Sequence, residues 1–366
     1  KSVGIHIRFG SGRKVCFVRR MRFLLLLGLW MGVASAVAEP IKVKVVVVAM
    51  FERGEDTGDR PGEFQHWVER EGLTETYAFP QGYRDLRGSP DGSILGVVTG
   101  VGTAKSAATI MAVGLDPRFD LTEAYWLVAG IAGADPHDMS LGSAAWAEWL
   151  VDGDLAHEID FREVPEGWTT GYIPLRKAYP YQQPVDRSEG QAYQLVPSLV
   201  EWAYQLTKDT DLGDTEPMQK RRKLYTDTPT AQRPPFVLKG DHLAAMTYWH
   251  GKYLNQWAND WVKYFSDGTG EYVTTAMEDT GTYGSLFWLD RAGKVDVKRM
   301  LVLRTASNFD MQWPGGDAAG SLSGEKLGPG YSAYFPALES AHKVGSQVVH
   351  ALIEGWEIYQ HEMPNP

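Results

Sequence analysis

Apolar positions along this chain gather into short runs separated by segments of helix length. Residues 41–48, Ile-Lys-Val-Lys-Val-Val-Val-Val, form a β-branched run that predicts a buried first strand. Residues 93–98 predict a second strand, which ends at Thr99-Gly100-Val101-Gly102 and gives way to helix-compatible spacing over 104–115. Residues 124–129 predict a third, ending in Gly130-Ile131-Ala132-Gly133-Ala134-Asp135-Pro136, and 144–151 a fourth. Apolar runs at 236–238, 272–276 and 299–303 predict three more. Helix-length segments lie between several of these, at 198–210, 279–289 and 336–359. Such alternation predicts an α/β fold with a mainly parallel mixed sheet and helices on both faces. Ligands of such sheets bind outside the carboxyl ends of the strands.

Residues 155–235 break the pattern. They are rich in Pro, Tyr and charge and read as a long irregular insertion, the kind of segment that serves as a lid or binding loop. The aromatic group Tyr248-Trp249, Trp257, Trp261 and Tyr264 has roughly helical spacing and is expected in a core. One domain over 39–366 is expected, preceded by an upstream extension and an export segment over 1–38.

That segment begins at Met21-Arg22-Phe23, runs through Leu24 to Leu27, and ends Ala36-Val37-Ala38 before Glu39-Pro40. A basic start, a short apolar stretch and an Ala-x-Ala ending read as a secretory signal, which predicts a periplasmic or secreted protein; a membrane anchor is the alternative. The single cysteine, Cys16, precedes it, so thiolate chemistry and disulfides are excluded after cleavage. A net charge of −10 argues against a nucleic-acid partner. Lys220-Arg221-Arg222-Lys223 reads as a solvated loop or an anion contact. No His/Asp/Glu spacing around His242 or His250 matches a metal site.

Candidate chemistry sits at strand ends. Gly100, Gly102 and Thr103 stand at a helix N-terminus, where backbone N–H groups favour an anion or a sugar hydroxyl. Ala49-Met50-Phe51-Glu52 puts a carboxylate at the end of the first strand. Met277 beside Glu278 offers an apolar surface next to a two-oxygen acceptor, a combination suited to ribose. Arg304-Thr305-Ala306-Ser307-Asn308-Phe309-Asp310 closes another strand with an amide, a hydroxyl and a carboxylate. Tyr283 and Phe309, close to these motifs, are the candidates for stacking on a base.

In their order, these segments resemble those of the nucleoside phosphorylase and hydrolase superfamily. With Lys239-Gly240-Asp241-His242 and Glu278-Asp279-Thr280-Gly281, the chain resembles in particular the purine nucleoside permease family. The resemblance implies a nucleoside-phosphorylase-like fold and a purine nucleoside ligand. It implies that Glu278 binds the ribose hydroxyls, that Met277 packs on the sugar, and that Asn308 or Asp310 meets the purine near N7. Glu52 would face the anomeric carbon and position water. Where phosphorylases carry an arginine and a serine that grip phosphate, the matching positions here are Val128 and Ile131. Hydrolysis is therefore expected over phosphorolysis, with no cofactor and phosphate as a co-substrate in the less favoured case. A nucleoside-binding protein that works with a separate membrane transporter is the other expectation, and a homo-oligomer is compatible with both.

Overall fold

The structure is a computed structural model that describes residues 39–327 and 332–366. The extension and export segment expected over 1–38 therefore lie outside the described residues. Its strands in the first half are Ile41–Lys42 (β1), Val45–Ala49 (β2), Glu75–Tyr77 (β3), Leu86–Gly88 (β4), Ile94–Val98 (β5), Phe119–Asp120 (β6), Tyr125–Ala134 (β7) and Ala144–Trp146 (β8). Trp149–Asp152 (β9), Ala156–Glu158 (β10), Tyr172–Pro174 (β11), Ala192–Gln194 (β12), Val237–Lys239 (β13), Asp241–Ala244 (β14), Tyr272–Ala276 (β15) and Met300–Phe309 (β16) follow. The helices are Gln65–Arg70 (α1), Thr103–Gly114 (α2), Pro197–Thr207 (α3), Glu216–Arg222 (α4), Lys252–Phe265 (α5), Asp279–Arg291 (α6), Ala318–Leu327 (α7), Tyr334–Glu354 (α8) and Trp356–Tyr359 (α9).

Twelve strands form one sheet along the path β12-β9-β14-β15-β7-β2-β5-β4-β3, with β16 bridging β7 to β8 and β8 pairing β13. Every residue of β2, β5 and β16 is buried. A strand buried along its whole length has both sheet faces covered, which explains why these strands read as unbroken apolar runs. α8 packs on β7, β16, β8 and β2, α5 packs on β9, β14 and β15, and α2 packs on α6.

The α/β reading holds, but the sheet is more mixed than expected. Six of its ladders are parallel and five antiparallel, among them β15 against β7 in the middle of the sheet. The run at 144–151 is two strands, because Asp241 turns the chain between them. Its carboxylate accepts the backbone N–H groups of Glu148 (3.1 Å), Trp149 (2.7 Å) and Glu271 (2.8 Å). The segment 155–235 is not irregular throughout, since β10, β11, β12, α3 and α4 lie within it. β12 extends the sheet edge on β9, and α3 packs against α8. The basic cluster at 220–223 lies on and just after α4, where Arg222 pairs with Asp214 at 2.7 Å. Trp257, Trp261 and Tyr264 are buried on α5, as their spacing predicts.

Candidate active site

A cavity of about 370 Å³ opens at the carboxyl ends of β2, β7, β15 and β16. Residues from each of these strand ends line it, among them Met50, Ile131, Met277 and Asn308. Its contents depend on an irregularity in β16. That strand pairs with β7 in register from Met300 to Ala306, then slips so that Asn308 faces Gly133. The slip is a bulge at Ser307, and a bulge re-aims side chains that strict alternation would send to opposite faces. Ser307 and Asn308 consequently line the same cavity together with Arg304 and Asp310.

At one end stands Glu63, which precedes α1. Its carboxyl accepts the backbone N–H of Met50 at 2.8 Å and of Ile131 at 2.7 Å. Burial pushes its pKa up to about 8, against the opposing charge of Arg304 and with help from Glu278. Glu63 is thus a buried carboxyl that exchanges its proton near neutral pH, as a general base requires.

Between the two ends lies a buried ionic group. The Arg304 guanidinium donates to Asp279 at 2.6 and 3.1 Å, to Glu278 at 3.1 Å and to the Ile131 carbonyl at 3.3 Å. His242 Nε2 lies 2.9 Å from Asp279. Burial alone would raise Asp279, but Arg304 and His242 hold it well below the usual carboxylate range. Glu278 is pushed up by burial despite Arg304, with Asp279 adding to the rise. Its carboxylate also accepts the Gly102 N–H at 3.0 Å.

At the far end, Asp310 is fully enclosed. Tyr272 donates its hydroxyl to one oxygen, and Asn255 of α5 its amide to the other at 3.1 Å. Burial first, then the charge of Asp135, drives the Asp310 pKa well above its ordinary value. Trp249 and Tyr248 add aromatic surface to the cavity wall, and Tyr334 at the start of α8 adds more. The Arg53 guanidinium lies 5.0 Å over the Tyr334 ring.

Met277, Glu278, Asn308 and Asp310, expected from the sequence, all reach this cavity. Glu52 does not. Its carboxylate accepts the backbone N–H groups of Arg53, Gly62, Phe64 and Gln65, so it pins the 53–62 loop and has no face toward the ligand space. Tyr283 stacks on Tyr193 at 4.3 Å, and Phe309 is buried against Tyr225 at 4.2 Å. Neither lines the cavity. Gly100 and Gly102 adopt φ of 81° and 100° and flank Val101, which does. Their turn supports Glu278 through the Gly102 N–H, and Thr103 donates its hydroxyl to the Met277 carbonyl at 2.9 Å. Val128 is buried within β7, and Ile131 contributes its backbone N–H to Glu63. Neither position holds a side chain able to grip phosphate.

Sequence reasoning missed Glu63, Arg304 as the partner of Glu278, and Trp249. Glu63 stands thirteen residues after Met50, beyond a loop, and the sole signal for it is an acid just before a short helix.

A family model described as "Purine nucleoside permease (NUP)" matches residues 42–364. A probable purine nucleoside permease of Schizosaccharomyces pombe is 34% identical over 60% of this chain, and the match spans 65% of that protein, a little under two thirds. A purine nucleoside permease of Candida albicans is 29% identical over 90% of this chain and 79% of its own. Among solved structures, a futalosine hydrolase of Helicobacter pylori is similar with a TM-score of 0.49 and 15% identity, covering 84% of this chain and 97% of that one.

Proposed function

The chain belongs to the purine nucleoside permease family, and on that footing we propose that it is an exported protein that binds a purine nucleoside in this cavity and hydrolyses its N-glycosidic bond. The observation that carries the reading is Glu63, a buried carboxyl at the cavity wall with a pKa near 8. The ribose hydroxyls sit on Glu278 with Met277 against the sugar, and the purine points to Asn308 and Asp310 beside Trp249. Glu63 takes a proton from water as the water oxygen bonds to the anomeric carbon. The carbon–nitrogen bond breaks with its electron pair passing to the purine, and Asp310 supplies the proton that leaves with the free base. The products are ribose and purine. General-base assistance of this kind contributes roughly 10²–10⁴-fold.

The test is to isolate the exported, mature protein and incubate it with inosine, adenosine and guanosine, with and without phosphate. Free base in the absence of phosphate is expected, with kcat reduced roughly 10²-fold or more in Glu63→Gln. Strict dependence on phosphate, or full activity of Glu63→Gln, would overturn the hydrolytic reading.

A second reading is a nucleoside capture protein, which Asn308 favours because an amide can hydrogen-bond a purine but cannot protonate it. Among the described residues no helix is long and apolar enough to cross a membrane, and this reading adds a separate membrane transporter as partner. Tight binding without release of base would select it.

A further inference from the structure

The cavity wall at Asp310 is backed by a second polar group that the proposed reaction does not use. Asp310 and Asp135 each directly follow a residue of one cross-strand pair, Phe309 and Ala134, and the Asp310 N–H donates to the Ala134 carbonyl at 2.9 Å. α5 ties the two carboxyls together from above. Asn255 donates to Asp310, while Asn259, one turn on, donates to Asp135 at 2.8 Å and to the Asn255 carbonyl at 3.1 Å. On the side away from the cavity, Asp135 meets His137, with Nδ1 at 2.8 Å and the His137 backbone N–H at 2.8 Å. The Asp135 side chain is 1% exposed and that of His137 is 54% exposed. A continuous set of contacts therefore runs from solvent, through His137, Asp135 and the two asparagines, to the Asp310 carboxyl at the cavity wall.

We propose that the Asp135–His137 pair is a positioning pair that sets how firmly Asp310 holds the proton it presents to the purine. The amides of Asn255 and Asn259 cannot pass a proton along, so the link is electrostatic. Asp135 carries its negative charge in a buried setting, where charges interact far more strongly than in water. Left alone, that charge opposes ionisation of Asp310. A protonated His137 compensates it and lets Asp310 release its proton more readily.

The groups around Asp310 agree with this division. Tyr272 of β15 and Asn255 of α5 donate to its oxygens and would steady the carboxylate after proton release. Asp138, Glu271 and Asp227 add negative charge around the pair, and among these groups His137 is the one that can become positive. Contact with Asp135 raises the His137 pKa, and His137 in turn helps to keep Asp135 ionised against its burial. The Tyr272 hydroxyl and the Asn255 amide thus favour the anion, while Asp135 favours the acid, and His137 adjusts the difference from the surface.

The inference rests on the nucleoside-binding part of the function proposed above, and it is tested on affinity so that it stands or falls apart from cleavage. Adenosine, which does not itself titrate in this range, is used as the ligand, and its affinity is measured by calorimetry from pH 5 to 10 for wild type, Asp135→Asn, His137→Ala and Asp310→Asn. A protonated Asp310 donates to purine N7 and an ionised one repels it, so wild-type affinity falls on an alkaline limb. Asp135→Asn should move that limb about one unit lower, a roughly tenfold weaker Kd at a fixed pH on the limb. His137→Ala, at a half-exposed site, should move it the other way by a smaller step, and Asp310→Asn should abolish it. A uniform loss of affinity at every pH with the limb unmoved, or shifts of the same sign in both variants, overturns the proposal. If wild type binds but releases no base, hydrolysis is lost and the limb still decides the pair.

Discussion

Replacing Glu63 by Gln separates a protonated carboxyl from an ionised one through protein stability alone. Glu63 titrates near 8 in the folded chain against 4.5 as its ordinary value. Its folded pKa is raised, so its contribution to stability is full below pH 4.5 and is lost progressively as pH rises to about 8. Between pH 6 and 8 the unfolded chain has already released this proton while the folded chain largely retains it. Each unit is worth about 1.4 kcal/mol, and allowing for half-ionisation at pH 8, wild type should lose roughly 2 kcal/mol over that interval through this group. Glutamine has no such dependence. Its fixed cost is different: two backbone N–H groups, of Met50 and Ile131, need acceptors, and an amide supplies one oxygen where the carboxyl supplies two. The amide nitrogen left facing a donor costs about 1–3 kcal/mol at every pH. Urea unfolding at pH 5.5, 6.5, 7.5 and 8.5 gives both numbers. The variant should be the less stable protein at acid pH, and its deficit should shrink by roughly 2 kcal/mol toward pH 8. Two stability curves that run parallel across this range would mean Glu63 is ionised in the fold, and the case for it as a base poised near neutrality would fail.

Glu52→Ala should release the 53–62 loop, because four backbone N–H groups lose one shared acceptor. Thermal unfolding should register a loss of about 2–4 kcal/mol, and inosine affinity should fall along with it as Glu63 loses its fixed place. An unchanged melting temperature would contradict the pinning role. Phe309→Ala should cost about 3–5 kcal/mol through the void left against Tyr225. Trp249→Ala should weaken inosine binding by more than Phe309→Leu does, as titration calorimetry would show; the opposite ranking would restore Phe309 as the base-stacking residue.

Much of the architecture was legible because burial on both sheet faces writes itself as continuous apolar runs. β15 lies at its expected bounds, and β5, α2 and α6 lie within two residues of theirs at either end. What failed was what depends on contacts distant in sequence. Nothing local to 144–151 announces that Asp241 will turn the chain there. Residues 41–48 read as one strand, yet β1 pairs with β6 while β2 joins the main sheet. At the site, Met277, Glu278, Asn308 and Asp310 were found because strand ends and residue type coincide. Tyr283 and Phe309 were misplaced because nearness in sequence to a motif does not fix the face on which a side chain lies. The bulge at Ser307 was invisible, and it is the feature that brings 307, 308 and 310 to one wall.

The distribution of charge bears on which nucleophile the cavity favours. Two guanidinium groups stand among its lining residues, Arg304 and Arg53. Arg304 is engaged by Asp279 and Glu278, and Arg53 rests on the Tyr334 ring. A phosphate dianion entering near Glu63 would meet a carboxyl there and a second at Glu278, with the nearest guanidinium already compensated. Water carries no such cost, and once Glu63 has taken its proton the Glu278 carboxylate still faces the positive charge that develops on the sugar as the glycosidic bond opens. Fixed charges aimed at a developing charge stabilise the transition state more than the ground state. The arrangement that would repel phosphate is therefore the one that would assist departure of the base. This is why we place Glu63 at the centre of a hydrolytic site, although its sequence neighbour Glu52 sits closer to the strand end.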